Sequence, residues 1–498
     1  MRFFSNSQNR VPDASPENSG NFWQEEGIAL LIAVIALSVF SLLGLYIGVA
    51  STTEVRISEN YESHVQADLA ARAGLNHARD LIRGLRFNDL LQGPDVDAPP
   101  PGTYPSTLSG QYAFRNWVDW STARSLNMLN PPIDVGGPRH EGLFNTGKVG
   151  TTPGTPLIPA TGVAFTAPNP YGPGTVITAR YFVKVTDNDD GDGDPFTDSD
   201  RIIIVRSTGV AQTIRETGGP ARANSVAVYE AMYKEYRLFD LDVPFAIQGD
   251  MVLPASSNMF NGNSFNIDGN PNRYGIGTID TNPSNNIYPA DEIKKGLSSN
   301  QTDQIKGSCC PKTEAAIGEI TASLNDDQRL LLDPKFLWNV AYNLMPQFAD
   351  NVYKGDQKWT GAFTDDLGHY DSSKPVDDPS QSFKVTYVNG DLDITGDVTG
   401  AGILFVTGKL SIRGSLKWAG MALVVGGSVD LSGHGAAVEG NLYLANLQPG
   451  NPPTFGNPAV TVGGSSTFQT NAALLRMVLR QLPPMEISRR EITSSMDP

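Results

Sequence analysis

The densest set of side chains that could do chemistry lies in DNDDGDGDPFTDSD, residues 187–200. Asn188, Asp190, Asp192 and Gly193 match the opening of a calcium loop, which places oxygen ligands at alternate residues and a glycine at the turn. The twelfth position is Ser199 rather than Glu, and Asp198 and Asp200 flank it. Seven carboxylates in one short hairpin repel unless a cation or water screens them. The candidate ligands are Asn188, Asp190, Asp192, Asp194, Asp198 and Asp200, and the plain alternative is a solvated acidic turn. Calcium is the one cofactor the chain suggests. Cys309 and Cys310, the only cysteines, are adjacent in KGSCCPK. They can close a strained ring with each other, bond a partner chain or remain free thiols, with oxidation favoured outside the cytoplasm.

Signs of catalysis are missing from the pattern. The five histidines, His64, His77, His140, His369 and His434, have no metal-ligand spacing. The stretch GAGILFVTGK at 400–409 has five residues between Gly402 and Gly408, and Leu410 follows Lys409 where a phosphate loop needs Ser or Thr. No Gly-x-Ser-x-Gly elbow occurs. The expectation is that the chain is not an enzyme.

The elements that position these residues are mostly β. GDLDITG (390–396), GKLSIRG (408–414), GSVDLSG (427–433) and GNLYLAN (440–446) share the form G-x-Φ-x-Φ-x-G/N, with apolar runs GILFV and MALVV between them. A short alternating strand, a glycine turn and a second strand per repeat describe one coil of a parallel β-solenoid. Leu392, Ile394, Leu410, Ile412, Val429, Leu431, Leu442 and Leu444 should form inward ladders. The outward positions offer Asp391, Asp393, Lys409, Ser411, Arg413, Asp430 and His434, mixed in sign and too sparse for an aligned catalytic row. Residues 241–284 repeat the same grammar. Between the two sets, 285–375 reads as a helical insertion, with Asp333-Pro334 opening one helix. NAALLRMVLRQL in the tail reads as an amphipathic helix that could cap the open end of the stack. Upstream, three β-rich runs between residues 176 and 238 predict an antiparallel sheet. A short helix is expected near 116–129.

The chain has 498 residues, a net charge of −16, and 50 Gly and 35 Pro, a balance that suits turn-rich β structure. No segment concentrates Lys and Arg, which disfavours nucleic acid as a partner. Residues 27–50, GIALLIAVIALSVFSLLGLYIGVA, carry no charge. As a helix this run would be roughly 36 Å long, enough for a ~30 Å hydrocarbon layer. Arg2 and Arg10 precede it and Arg56, Arg72 and Arg79 follow, so charge does not decide its orientation. Beyond residue 50, Ala71, Leu75, Ala78, Ile82 and Leu85 continue on one helical face.

The leader ending in Gly27, the run IALLIAVIALSVFSLLGLYIGVASTTEVRISENY and the later AARAGLNHARDLI together resemble the N-terminus of PilX-type minor pilins, type IV pilus assembly proteins. The resemblance covers about 60 residues. It implies cleavage by prepilin peptidase between Gly27 and Ile28, an inner-membrane precursor with extracytoplasmic domains, and packing against other minor and major pilins. Ile32 stands where major pilins carry a glutamate that meets the neighbouring N-terminal amine, and this fits a first, tip subunit. Glu25-Glu26 replace the usual basic leader residues, and Arg72 replaces the acidic residue of the AEAGL-like motif.

The expected architecture is α+β: a long N-terminal transmembrane and amphipathic pilin helix with an antiparallel sheet, then a right-handed-type parallel β-solenoid interrupted by a helical insertion. The boundaries are 1–27 leader, 28–87 helix (28–50 transmembrane), 103–238 antiparallel domain, 241–284 first coils, 285–375 insertion, 383–447 main coils and 448–498 tail. The function this implies is a filament-tip subunit that primes assembly and presents its head to a surface ligand, such as a glycan, or to other tip proteins. The alternative is an uncleaved membrane anchor holding a periplasmic scaffold.

Overall fold

A computed structural model describes residues 22–92, 143–145, 155–158, 162–168, 175–188, 190–191, 198–215, 224–251, 259–262, 264–269, 273–307, 316–361, 363–433 and 435–492. The expected helix near 116–129 lies outside them. The chain forms two compact units, one ending at Val65 and one beginning at Gln66. Helix α1, Phe22–Ile82, contributes to both.

In the first unit α1 is a bare apolar helix. Its most apolar 18-residue window has a mean hydropathy of 2.7 and none of it is buried, so it is long and apolar enough to cross a membrane. Two hydroxyls of this region bond back to the helix itself. Ser38 Oγ donates to Val34 O and Thr53 Oγ1 to Val49 O, both at 2.8 Å, the i−4 bond that hides a hydroxyl in an apolar helix.

In the second unit the helix changes character. Ala67, Ala70, Ala71, Leu75, Ala78 and Ile82 are buried against an antiparallel sheet. Its strands, in spatial order, are Met485–Ile492, Ser225–Lys234, Ile202–Arg215, Thr175–Asp187 and Val163–Pro168. The small helical residues let the backbones approach closely. A Cβ on Gly209 would run into the backbone of Ala67 and Ala71, so that strand position takes no side chain. The three middle strands match the runs expected at 176–238. The outermost strand, Met485–Ile492, was not expected, and it returns the end of the chain to the sheet that α1 covers.

The rest of the unit is built from parallel ladders. The longer one runs through Asn351–Lys354, Ser382–Asn389, Asp397–Val406, Ser415–Val424 and Gly435–Ala445. The shorter one runs through Gln357–Trp359, Leu392–Ile394, Leu410–Ile412, Ser428–Leu431 and Ala459–Val462. Lys384 stands beside Gly402, and Gly402 beside Gly420, in steps of one repeat. All eight residues expected in inward ladders lie in one buried core. Gly402, Gly420 and Gly440 stack in three successive rungs with φ of 121°, 128° and 138°, where a side chain would be strained. They divide each long strand. Thr399 and Lys417, before the glycines, are exposed, whereas Ile403, Phe405, Met421 and Leu423, after them, are buried in a second core. The continuous apolar runs thus belong to strand halves buried on both faces.

Helices supply the cover. Pro334–Asn339, capped by Asp333 accepting from Lys335 N at 2.9 Å, leads through Val340–Leu344 into Met345–Phe348. Leu337, Val340, Ala341 and Met345 pack in that outer core. Ala472–Leu479, capped by Asn471, lies against the three central long strands. It therefore covers the broad face rather than the end of the stack, because the apolar outer face exposes more to hide than an end does.

Residues 285–375, expected as a helical insertion, also provide strands Ile305–Lys306, Ile317–Glu319, Asn351–Lys354 and Gln357–Trp359. The early coils do not precede the later ones in space. Phe245–Gln248 pairs in parallel with the second half of Gly435–Ala445, and Asn266–Asp268 with Thr467–Gln469. The chain enters at 245, extends to 319 in one direction, restarts at 351 at the opposite end and closes back on its own entry. At this seam Leu442 N donates to Pro244 O at 2.8 Å, and Phe245 stacks on Phe468 at 5.5 Å. Tyr443 Oη donates to Gln248 Oε1 at 2.7 Å, and Gln248 Nε2 donates to Leu331 O at 2.7 Å. Tyr443→Phe should cost about 1–3 kcal/mol, because it strands a buried amide oxygen. Urea unfolding of the variant checks it.

Candidate functional sites

Three places could bear function: the acidic hairpin, the docking of α1 on the sheet and the outer faces of the ladders. In the hairpin, Asp192 and Asp194 lie outside the described residues. Of the remaining four candidate ligands, Asp190, Asp198 and Asp200 accept local hydrogen bonds, whereas Asn188 donates one and its buried Oδ1 accepts none among the described residues. Asn188 Nδ2 donates to Asp200 Oδ2 at 2.9 Å, and Ser199 Oγ donates to Asp190. Ile202 N donates to both Asp198 Oδ1 and Asp200 Oδ1 at 2.9 Å. The backbone N–H of Asp198 donates to Asn88 Oδ1 at 2.7 Å, tying the hairpin to the segment after α1. Among the described residues no group of three or more His, Cys, Asp or Glu is placed to hold a metal.

Burial pushes the Asp198 carboxyl up to about 6, with the charge of Asp200 adding to it and backbone donors opposing it. Its folded value thus exceeds the unfolded one, so the folded state holds the proton more tightly. The Asp198 contribution to stability is therefore favourable at low pH and is lost as pH rises from about 4 to about 6. Asp198→Asn should flatten that part of the stability–pH profile, measured as the difference in melting temperature between wild type and variant across this range.

Arg72 adds a polar contact to the apolar docking of α1. Its Nε lies 3.0 Å from Asp68 Oδ2, and a terminal nitrogen donates to Tyr229 Oη at 3.0 Å. Tyr229 Oη donates to Asp68 Oδ1 at 2.6 Å, and the guanidinium carbon sits 5.1 Å from the Tyr229 ring centroid. The residue that departs from the pilin motif thus links α1 to the strand Ser225–Lys234. His77 Nδ1 lies 2.8 Å from Tyr181 Oη, a structural contact.

Ionic contacts tie the segment after α1 and the antiparallel sheet to the later part of the unit. Arg83 meets Asp350 at 3.1 Å, Arg86 meets Asp377 at 2.8 Å and Lys234 meets Asp327 at 2.7 Å. Glu235 accepts from Arg480 at 2.6 Å and Arg237 at 2.8 Å. Burial alone would raise its carboxyl, but Arg480 and Arg237 outweigh it and hold the group below its ordinary value.

On the ladders, the outward carboxylates Asp356 and Asp391 lock turns. Asp391 N donates to Asp356 Oδ1 at 2.9 Å and Lys409 N to Asp391 Oδ1 at 2.7 Å. Asp393, Ser411 and Asp430 stand in one outward row. Gly27 and Ile28 fall inside α1, which begins at Phe22. Cys309, Cys310 and His434 lie outside the described residues. The strand Met485–Ile492 was missed because MEISRREI is short and charged, with weak alternation as its only signal. Comparisons with protein-family models, curated proteins and solved structures find no match to this chain.

Proposed function

We propose that the chain is a minor-pilin-like subunit of a type IV pilus or related filament, placed at the tip, where it primes assembly and presents its β-rich head for adhesion or partner contact. The observation that supports this best is the two-part character of α1. Its N-terminal part is apolar and exposed, while Ala67–Ile82 is buried on an antiparallel sheet. A helix of that design can move from a bilayer to a filament interior without losing its seat on the head. The regular parallel steps favour reading residues 241–469 as a β-solenoid. A head of that size would crowd neighbours along a shaft but has room at its end. Ile32, which cannot pair with a neighbour's amine, agrees with a first subunit. The partners in this reading are other minor and major pilins, the inner membrane before assembly, prepilin peptidase and a surface ligand or glycan. Calcium in the acidic hairpin belongs to the same reading.

The test is the intact mass of the protein from cells with and without prepilin peptidase. A chain beginning at Ile28 only when the peptidase is present is the expected result. A chain beginning at Met1 in both would favour the second reading, an uncleaved membrane anchor for a periplasmic scaffold. That reading draws on Glu25-Glu26 and on the helical conformation across Gly27 and Ile28, since a peptide bond held in a helix resists entry into a peptidase cleft.

A further inference from the structure

On the outer face of the shorter ladder, alternation and register bring three oxygen-bearing side chains together. Leu392 and Ile394, Leu410 and Ile412, and Val429 and Leu431 point into the core, so the residue between each pair points outward. Those residues are Asp393, Ser411 and Asp430, and pairing sets Asp393 beside Ser411 and Ser411 beside Asp430. Ser411 is only 6% exposed, and its Oγ has no hydrogen-bond partner among the described residues. Asp393 Oδ1 is also buried without a hydrogen bond. Its cationic neighbour, Arg413 Nε, is 3.9 Å away on a side chain that is 68% exposed. Asp430 uses Oδ1 to accept from Ser432 N at 3.2 Å. A buried hydroxyl left unmet between two carboxylates calls for an explanation.

We propose that Asp393, Ser411 and Asp430 form a binding site for a divalent cation of the calcium class. The donor set is oxygen only, which suits a hard cation and neither zinc nor copper. The spacing also fits. Rungs are about 4.8 Å apart, so the two carboxylates start about 9.6 Å apart, with Ser411 midway. A cation bonding oxygen at about 2.4 Å spans about 4.8 Å between opposite ligands. Each carboxylate therefore has to lean inward by about half a rung, which the two side-chain torsions of Asp allow. Thr461, paired with Asp430 in the next rung, extends the oxygen row. Lys358, paired with Asp393, ends it with positive charge at the other side. Magnesium fits less well, because it demands a tight octahedron that two widely set carboxylates do not provide. A sugar is also disfavoured: Trp359, the aromatic of the adjoining strand, is buried in the core at 3% exposure and offers no stacking surface on this face. With two carboxylates, affinity should lie in the range of extracellular modules, a Kd of roughly 10⁻⁴–10⁻³ M. The site depends on ladder register alone and is independent of the filament reading and of the acidic hairpin.

The test uses the full chain in detergent, stripped with chelator, with the hairpin disabled by Asp190→Asn and Asp198→Asn. Calorimetry with calcium chloride up to about 10 mM should then show one site in that affinity range, and the melting temperature should rise with calcium. Adding Asp393→Asn and Asp430→Asn should abolish both signals. Ser411→Ala, which removes one ligand and little volume, should weaken binding about threefold or more while the calcium-free protein melts cooperatively as before. No heat and no melting shift in the hairpin variant would overturn the proposal. So would binding that survives the Asp393 and Asp430 substitutions unchanged.

Discussion

Glu230→Ala is expected to lower the unfolding free energy by about 3–5 kcal/mol, one of the largest single-residue effects on this chain. Glu230 and Arg206 are both buried, 5% and 8% exposed, and meet through two nitrogens at 3.0 and 3.3 Å. The second carboxylate oxygen of Glu230 accepts from Arg490 at 2.6 Å. One carboxylate thus joins three strands: Ile202–Arg215, Ser225–Lys234 and the returning Met485–Ile492. Removing it takes a buried carboxylate from the Arg206 guanidinium and breaks a buried, hydrogen-bonded ion pair, which dominates the penalty. Arg490 is different, because its side chain is 71% exposed and water replaces its partner. Arg490→Ala should therefore change stability by about 1 kcal/mol or less. Urea denaturation of both variants checks the contrast. Equal losses would mean that the returning strand, not the buried pair, dominates.

Trp418→Ala should cost about 3–5 kcal/mol, for a different reason. Trp418 is 2% exposed and sits inward on the central strand Ser415–Val424, between Gly400 and Val438 in the neighbouring rungs. A Cβ on Gly400 would strike the indole ring, so the glycine is the space the ring fills. Nε1 donates to Gly402 O at 3.0 Å and Met421 O at 3.2 Å, pinning two rungs at the glycine column. Alanine leaves a cavity in a core whose flanking backbones are fixed by ladder hydrogen bonds and cannot collapse. Trp418→Phe loses the donor and part of the ring but leaves a far smaller void than alanine, so about 1–2 kcal/mol is expected. Denaturant unfolding of both checks the contrast, and a Phe variant as unstable as the Ala variant would contradict the cavity argument.

These positions bear on the proposed role. The filament reading needs the antiparallel sheet and the parallel ladders to stay joined. The returning strand, the Glu235–Arg480 contact and the Arg83–Asp350 contact contribute to that joint. Glu230 holds the sheet together, and Trp418 holds the ladders.

The amino-acid pattern alone determined the local elements. An uncharged run of this length reads as a helix long and apolar enough to cross a membrane, and α1 is found there. The three runs at 176–238 are rich in β-branched and aromatic residues in partial alternation, and each is a strand. The eight inward leucines, isoleucines and valine are all buried because alternation on a pleat leaves them one direction to face. The outward row containing Asp393, Ser411 and Asp430 was legible for the same reason, but its lateral pairing was not.

Only the tertiary structure decided which edges meet. Every repeat presents the same rung of backbone donors and acceptors, so periodicity cannot say that Phe245–Gln248 pairs with the last long strand rather than the first. That choice is made by side chains far apart in sequence, such as Tyr443 with Gln248 and Phe245 with Phe468. The helix Ala472–Leu479 shows the same limit: its apolar face demanded a cover to bury against, and only the fold revealed a broad sheet face instead of an open end. The strand Met485–Ile492 had almost no local signal. A sheet edge accepts any extended segment with free backbone groups, and Glu230 waiting beside that edge makes Arg490 its partner.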